Sequence, residues 1–307
     1  MATQAAQEDV IRLESGEQIF IRSDSIMTKA LRRLRHDKLT LTALSVLALL
    51  GLLSLLAPLI TDHILHVDIT ATDGRISYLP MGSEGHWLGT DNLGRDFLGR
   101  LLHGGRMSLT IGILSAVAIL TIGTTLGMIS GYIGGVVDDF LIWIVTTLDS
   151  LPQLYLLIAI AAILRPGPMS LIIIISLTSW TGVTRLVRGQ TIAIRDLDYV
   201  LAARAVGASP WRIMRVHILP NLVSILTVAM AFSIGGVILA EAGLSFLNLG
   251  VQEPTPTWGN MLTKGTQLFR HNLAFVLFPG LLITTVVLCL YVMGDGVRDA
   301  FDPKLND

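Results

Sequence analysis

Six stretches of the chain are almost free of Asp, Glu, Lys, Arg and His: Leu39 to Thr61, Met107 to Val137, Phe140 to Leu164, Pro166 to Thr184, Ile218 to Ala240 and Asn272 to Gly294. A helix crosses a bilayer with about 20 predominantly apolar residues, so each can span, and an ordinary water-soluble domain is excluded. The second stretch is longer than one crossing requires, so part of it is expected in the interface or in a turn. The third is broken only by Asp149. Composition agrees, with 52% hydrophobic and 15% charged residues and a mean hydropathy of +0.66, outside the range of soluble domains.

Six crossings put both termini on one side, and Lys and Arg indicate which, because an excess of them is retained in the cytoplasm. With a cytoplasmic N-terminus, 15 fall inside and seven outside. The expected organisation is a cytoplasmic tail 1–38, a first helix 39–61, an extracytoplasmic loop 62–106, a core 107–297 holding the other five helices, and a cytoplasmic tail 298–307. The basic run LRRLRHDK before the first span reads as a topology anchor, or else as a lipid or partner site. A cleaved signal peptide is not expected, because a long polar tail precedes the first apolar run and no small-residue cleavage pattern follows it. The formal charge of -1 gives no basic face for nucleic acid. Cys289, inside an apolar run, reads as a small packing residue, and a single cysteine excludes a disulfide framework.

Within the second span Gly123, Gly127, Gly131 and Gly135 recur at every fourth position. That spacing puts them on one helical face, where another helix can approach closely. The competing reading is a substrate path along that face.

The chain leaves the membrane at 198–219 for a short, heavily punctuated excursion. Asp198 is expected to cap a helix running through Val206, and Gly207 to end it in a left-handed conformation. Ser209 is expected to cap a second short helix with Pro210 at its first position. On that helix Trp211, Met214 and Ile218 fall on one side and Arg212 and Arg215 on others, while Pro220 sets the entry into the fifth span. Such an amphipathic hairpin either lies on the lipid surface or docks a partner, with Ala202, Ala203 and Ala205 allowing close approach and Arg204 adding charge.

The segment AARAVGASPWRIMRVHILPN resembles the EAA loop of permease subunits of bacterial ATP-binding-cassette (ABC) importers, through Ala202, Ala203, Gly207, Leu219 and Pro220. It departs where Leu201 stands in place of the usual glutamate. HWLGTDNLGRDFLGRLLHGGRMSL, WTGVTRLVRGQ, EAGLSFLNLGVQEPTPTWGNML and GDGVRDAFDP are similar to the second permease subunit of the dipeptide, oligopeptide and nickel group, and the similarity runs from about residue 25 to the C-terminus. The resemblance implies an all-α membrane protein with the type I importer permease fold. It further implies a heterodimer with a homologous permease, two cytoplasmic ABC ATPases docked on the hairpins, and an extracytoplasmic binding protein that delivers cargo. The chain itself is then no enzyme. ATP and Mg belong to the partner ATPases, consistent with the absence of any Gly-Lys pair such as ends a Walker A motif.

Two carboxylates fall in or near the membrane, where ionisable groups usually face a cavity or a partner. Asp149, followed by Pro152, is either a pathway-lining charge that meets a peptide amine or part of a capped kink or interhelical bond. Glu241 either borders the outer mouth of the pathway or reaches interfacial water. GTDNLGRDFLGR reads as a glycine-punctuated external loop leading into a short amphipathic helix that contacts the binding protein or the partner permease, although loop structure alone explains the glycines. The histidines show no metal-ligand spacing, and no serine, histidine and acid set suggests hydrolysis. A secondary transporter is the competing class, but it would favour inverted repeats with helices broken at midplane. Cargo choice between peptides, nickel complexes, glutathione, opines and oligosaccharides stays open.

Overall fold

The computed structural model describes residues 8–12, 18–22, 32–164 and 167–301. The remaining parts of the two tails, and the linker residues 165 and 166, lie outside this description. Among the described residues the fold is helical apart from a two-stranded antiparallel hairpin in the N-terminal tail, β1 (Glu8–Arg12) and β2 (Gln18–Arg22).

Four helices are long and apolar enough to span alone: α1 (Lys38–Leu55), α2 (Phe97–Ile133), α8 (Pro210–Phe246) and α10 (Ala274–Phe301). Two further apolar helix pairs are bent at a short break, as in a broken span or a re-entrant loop. α3 (Gly135–Asp149) and α4 (Gln153–Ile163) meet at 85°, and α5 (Pro168–Ser179) and α6 (Thr181–Arg195) at 43°. The first break has a sequence cause, since Pro152 cannot donate the backbone bond that would continue the helix. Outside the spans lie α7 (Asp198–Ala205) and α9 (Trp258–Leu268).

The second span differs from expectation at its start. No separate amphipathic helix precedes it, because α2 begins at Phe97, capped by the Asp96 side chain accepting from the Gly99 N–H. Its 37 residues reach about 55 Å at 1.5 Å per residue, so the surplus projects beyond any bilayer rather than folding back.

α2 is the central packing element. A Cβ on Gly123 would lie 2.6 Å from Cβ of Val183, one on Gly127 2.7 Å from the Thr184 carbonyl, and one on Gly131 2.8 Å from the Arg188 carbonyl. Three glycines therefore seat α6 against α2. Gly135 does not join them: it lies beyond the turn at Gly134, with nothing within 4 Å of where its Cβ would be. The hydrophobic core continues through Ile111, Ile174, Val187, Ile213 and Leu222, all buried. α1, by contrast, leaves Leu39, Leu49, Leu52 and Leu55 exposed, an apolar face suited to lipid.

Candidate functional site

Three features stand out: the hairpin at one end of the bundle, a large cavity within it, and a network of charges at the opposite, loop end.

At the hairpin, α7 ends in a Schellman motif. The Ala208 N–H donates to the Ala203 carbonyl and the Gly207 N–H to that of Arg204, both at 3.0 Å, with Gly207 at φ +84°. A residue with a Cβ resists that conformation. Asp198 is the first helical residue and not the cap, since Leu197 occupies the cap position with no side-chain bond. Ser209 does cap the next element, its hydroxyl accepting from the Arg212 N–H at 3.4 Å, with Pro210 in the first turn.

That next element is not a second short helix. It runs unbroken into the membrane as α8 through a wider π-helical turn at Ile213–Ile218, in which the Leu219 N–H reaches back five residues to Met214. The turn absorbs Pro220, whose missing N–H and bulky ring would disrupt an ordinary helix. It also changes which side chains share a face. Met214 and Ile218 are buried, whereas Trp211, grouped with them by spacing, is 59% exposed.

The hairpin is tied to the bundle from several sides. The Arg204 guanidinium lies over the Tyr132 ring, 5.5 Å from its centroid. Asn221 Nδ2 donates to the His217 carbonyl at 2.7 Å and to the Tyr199 hydroxyl at 3.2 Å. Nearby, Arg188 grips Asp138 with two bonds of 2.6 Å, Ser130 bonds the same carboxylate, and Arg195 Nη1 donates to the Gly131 carbonyl at 2.7 Å. The Arg188–Asp138 and Arg195–Gly131 bonds join α6 to α3 and α2, and with the Asn221–Tyr199 bond they link residues 22 to 64 positions apart. What faces outward is Leu201, Val206 and Trp211 with Ala202, Arg212, Arg215 and Pro220, while Ala203 and Leu219 are half-buried.

The cavity, of about 1300 Å³, is lined by α3 to α6, α8 and the end of α10. Its wall is largely apolar, through residues such as Leu157, Ile175, Val228 and Phe232, with Asp149 and Arg298 as its charged members. Asp149 sits at the end of α3, where the chain turns by 85°, and its carboxylate meets Arg185 Nη2 of α6 at 2.9 Å. Gln153 Nε2 donates to Ser179 Oγ at 2.9 Å beside it, so polar links join the two bent helix pairs at their breaks. Asp149 thus makes the interhelical bond that one sequence reading expected, and it does so on the wall of a cavity.

Glu241 is 1% exposed, so it does not reach interfacial water; its Oε1 accepts from the Ser245 and Thr257 hydroxyls, both at 2.8 Å. Gly259 packs against it so closely that a Cβ there would lie 2.7 Å from Oε2. Its role is to join α8 to α9.

At the loop end, Arg95 donates to Asp91 and, with both terminal nitrogens, to Glu253 at 3.1 Å. Arg100 reaches the same glutamate at 3.2 Å and Lys264 completes the cluster. Burial raises the Glu253 carboxyl, but hydrogen bonds from Arg95 and Lys264, with their charges, more than offset it and hold the group at about 2. Desolvation loosens the Arg95 proton, but the bonds it donates to Glu253 and Asp91, with their charges, outweigh this, so Arg95 keeps its proton more firmly than usual. Gly94, at φ +77°, packs against the backbone of Asp73 and closes the loop. His86 bonds Asp96 at 2.9 Å. Among the described residues no group of three or more His, Cys, Asp or Glu is placed to hold a metal ion.

Comparison with known proteins agrees with this architecture. Residues 123–307 match the model of the binding-protein-dependent transport system inner membrane component family. Residues 25–80 match that of the N-terminal TM domain of oligopeptide transport permease C. The chain is 36% identical to the dipeptide transport system permease protein DppC of Bacillus subtilis, over 90% of this chain and 85% of that one. It is 42% identical to the glutathione transport system permease protein GsiD of Pectobacterium atrosepticum, over 73% and 74%. A solved structure of the MetNI methionine ABC transporter, inward facing, matches with a TM-score of 0.54 at 20% identity, covering 66% of this chain and 97% of that one, and so shares the fold. The chain belongs to the family of binding-protein-dependent transport system inner membrane components.

Proposed function

We propose that this chain forms half of the membrane pathway of an ATP-driven importer of short peptides, paired with a homologous permease subunit. Two partner ATPases, which hold ATP and Mg, dock on the hairpins of the two permeases, and an extracytoplasmic binding protein delivers cargo. Both termini and the hairpin face the cytoplasm, in keeping with the excess of Lys and Arg on that side.

The observation that carries this reading is the hairpin. It offers Leu201, Val206 and Trp211 to a partner, yet it is bonded to α2 and runs without a break into α8, a wall of the cavity. Closure of the ATPases on ATP would therefore move a cavity wall directly, turning the pathway from inward-facing to outward-facing. Leu201 stands where the family's glutamate is usual, so docking here rests on apolar contact, Arg212 and Arg215. Peptide cargo is supported by the relatives named for dipeptide and oligopeptide transport, and glutathione by the relative named for it.

The test is reconstitution of the chain with its partners in liposomes. Uptake of a labelled dipeptide should require ATP inside the vesicle and stop when the ATPases are inactivated. Uptake that continues under an imposed ion gradient with inactive ATPases would replace this reading with secondary transport.

A further inference from the structure

The Asp149–Arg185 pair lies where a peptide importer has most use for a charge. Asp149 is the only carboxylate among the described residues lining the cavity, and its side chain is 35% exposed. A carboxylate on a largely apolar wall is a strong local attractor for a cation, because low surrounding polarity weakens screening. Left bare, it would also be costly, and Arg185 neutralises it through a contact of 2.9 Å. Arg185 itself is half-exposed on a long, flexible stem, so it can swing away without disturbing the backbone. The carboxylate sits at the 85° break between α3 and α4.

We propose that Asp149 is the pathway's receptor for a free ammonium group on the cargo, and that Arg185 is a displaceable internal counter-ion that holds the site while it is empty. The cargo's ammonium replaces the guanidinium at the carboxylate, and on release the guanidinium returns. Each exchange leaves the number of charge-assisted contacts unchanged, which keeps binding weak enough for passage, as conduction through any membrane pathway requires. Dipeptides and glutathione both carry such an ammonium, so the site serves either cargo. This inference rests on the importer reading above and refines it.

The two roles of the pair predict opposite behaviour of its halves. Consider the purified permease–ATPase complex in its nucleotide-free state, without the binding protein, and equilibrium dialysis with radiolabelled alanyl-alanine or N-acetyl-alanyl-alanine. The wild type should bind the free dipeptide about threefold more tightly than the acetylated one, because the ammonium's charge-assisted bond is largely offset by the guanidinium contact it displaces. Asp149→Asn should abolish that preference. Arg185→Gln should instead tighten alanyl-alanine several-fold, roughly the reverse of the competition removed, and leave the acetylated peptide unchanged.

A merely structural ion pair would make both variants change binding in the same direction, and that outcome, or an undiminished preference in Asp149→Asn, overturns the proposal. So does a wild type that binds both peptides equally. Assembly with the ATPases, followed by size exclusion and basal ATP turnover, checks that both variants fold. Failure of the importer reading shows elsewhere, as absence of ATP-dependent alanyl-alanine uptake by the wild type in liposomes.

Discussion

The two ends of this molecule use charge in opposite ways. At the loop end, Arg95 and Arg100 are almost wholly buried and shared among Asp91 and Glu253, with Lys264 at the margin. At the hairpin end Arg212 and Arg215 are exposed, as are Leu201, Val206 and Trp211. A buried network closes one end upon itself, because any charge that lost its partner there would be left desolvated. An end that exposes apolar and basic side chains on a rigid mount is, on the importer reading proposed above, the end its partners complete. The contrast separates what holds this chain together from what that reading has it offer to partners.

The sharpest way to break the comparison is Arg95→Met, which leaves Asp91 and Glu253 without their main cation. Removing one partner of a buried pair costs on the order of 3 kcal/mol, and for a chain of this size the melting temperature in detergent should fall by roughly 10 °C. A change within error would mean that the network is ornamental.

Acid is a graded version of the same break. The folded-state value of Glu253 lies below the 4.5 of a free glutamate, at about 2. Its stabilisation is therefore fully present above pH 4.5 and is lost as pH falls toward about 2. Melting temperature against pH should show this decline, and Glu253→Gln should remove that part of it.

Gly207→Val tests the other end. A β-branched residue at φ +84° costs about 1–2 kcal/mol, yet nothing lies within 4 Å of the position. Membrane insertion should survive with a shift of a few degrees, while ATPase docking and ATP-driven uptake fall about tenfold or more, as a small misplacement of a coupled element can cause. If docking and uptake persist, the bend is not the coupling geometry.

The smallest effect is expected from Leu201→Glu, an exposed substitution that should alter stability by no more than about 0.5 kcal/mol. Its readout is the salt dependence of ATPase docking. Docking through Arg212 and Arg215 should already weaken with ionic strength in the wild type, and the added carboxylate should change the slope of that salt dependence in the variant.

The sequence by itself determined the solvent of this protein, the apolar runs from which its membrane helices are built, and much of the punctuation of its hairpin. Those are local properties: apolar runs, the fixed φ of proline, the freedom of Gly207 and the capping hydroxyl of Ser209 act over a few residues. Even there the reading failed where two local rules met. Pro210 signalled a start and Pro220 an entry, and only the π-helical turn between them shows one continuous helix that carries Trp211 off the Met214 face. Tertiary structure alone decided the partners of the charges. Asp149 and Arg185 are 36 positions apart, and Arg95 and Glu253 158, separations over which no spacing rule operates. The surroundings of Glu241 were out of reach for the same reason. Helix rise gave its depth, but what covers it at that depth is set by Thr257 and Gly259, brought in by a different helix.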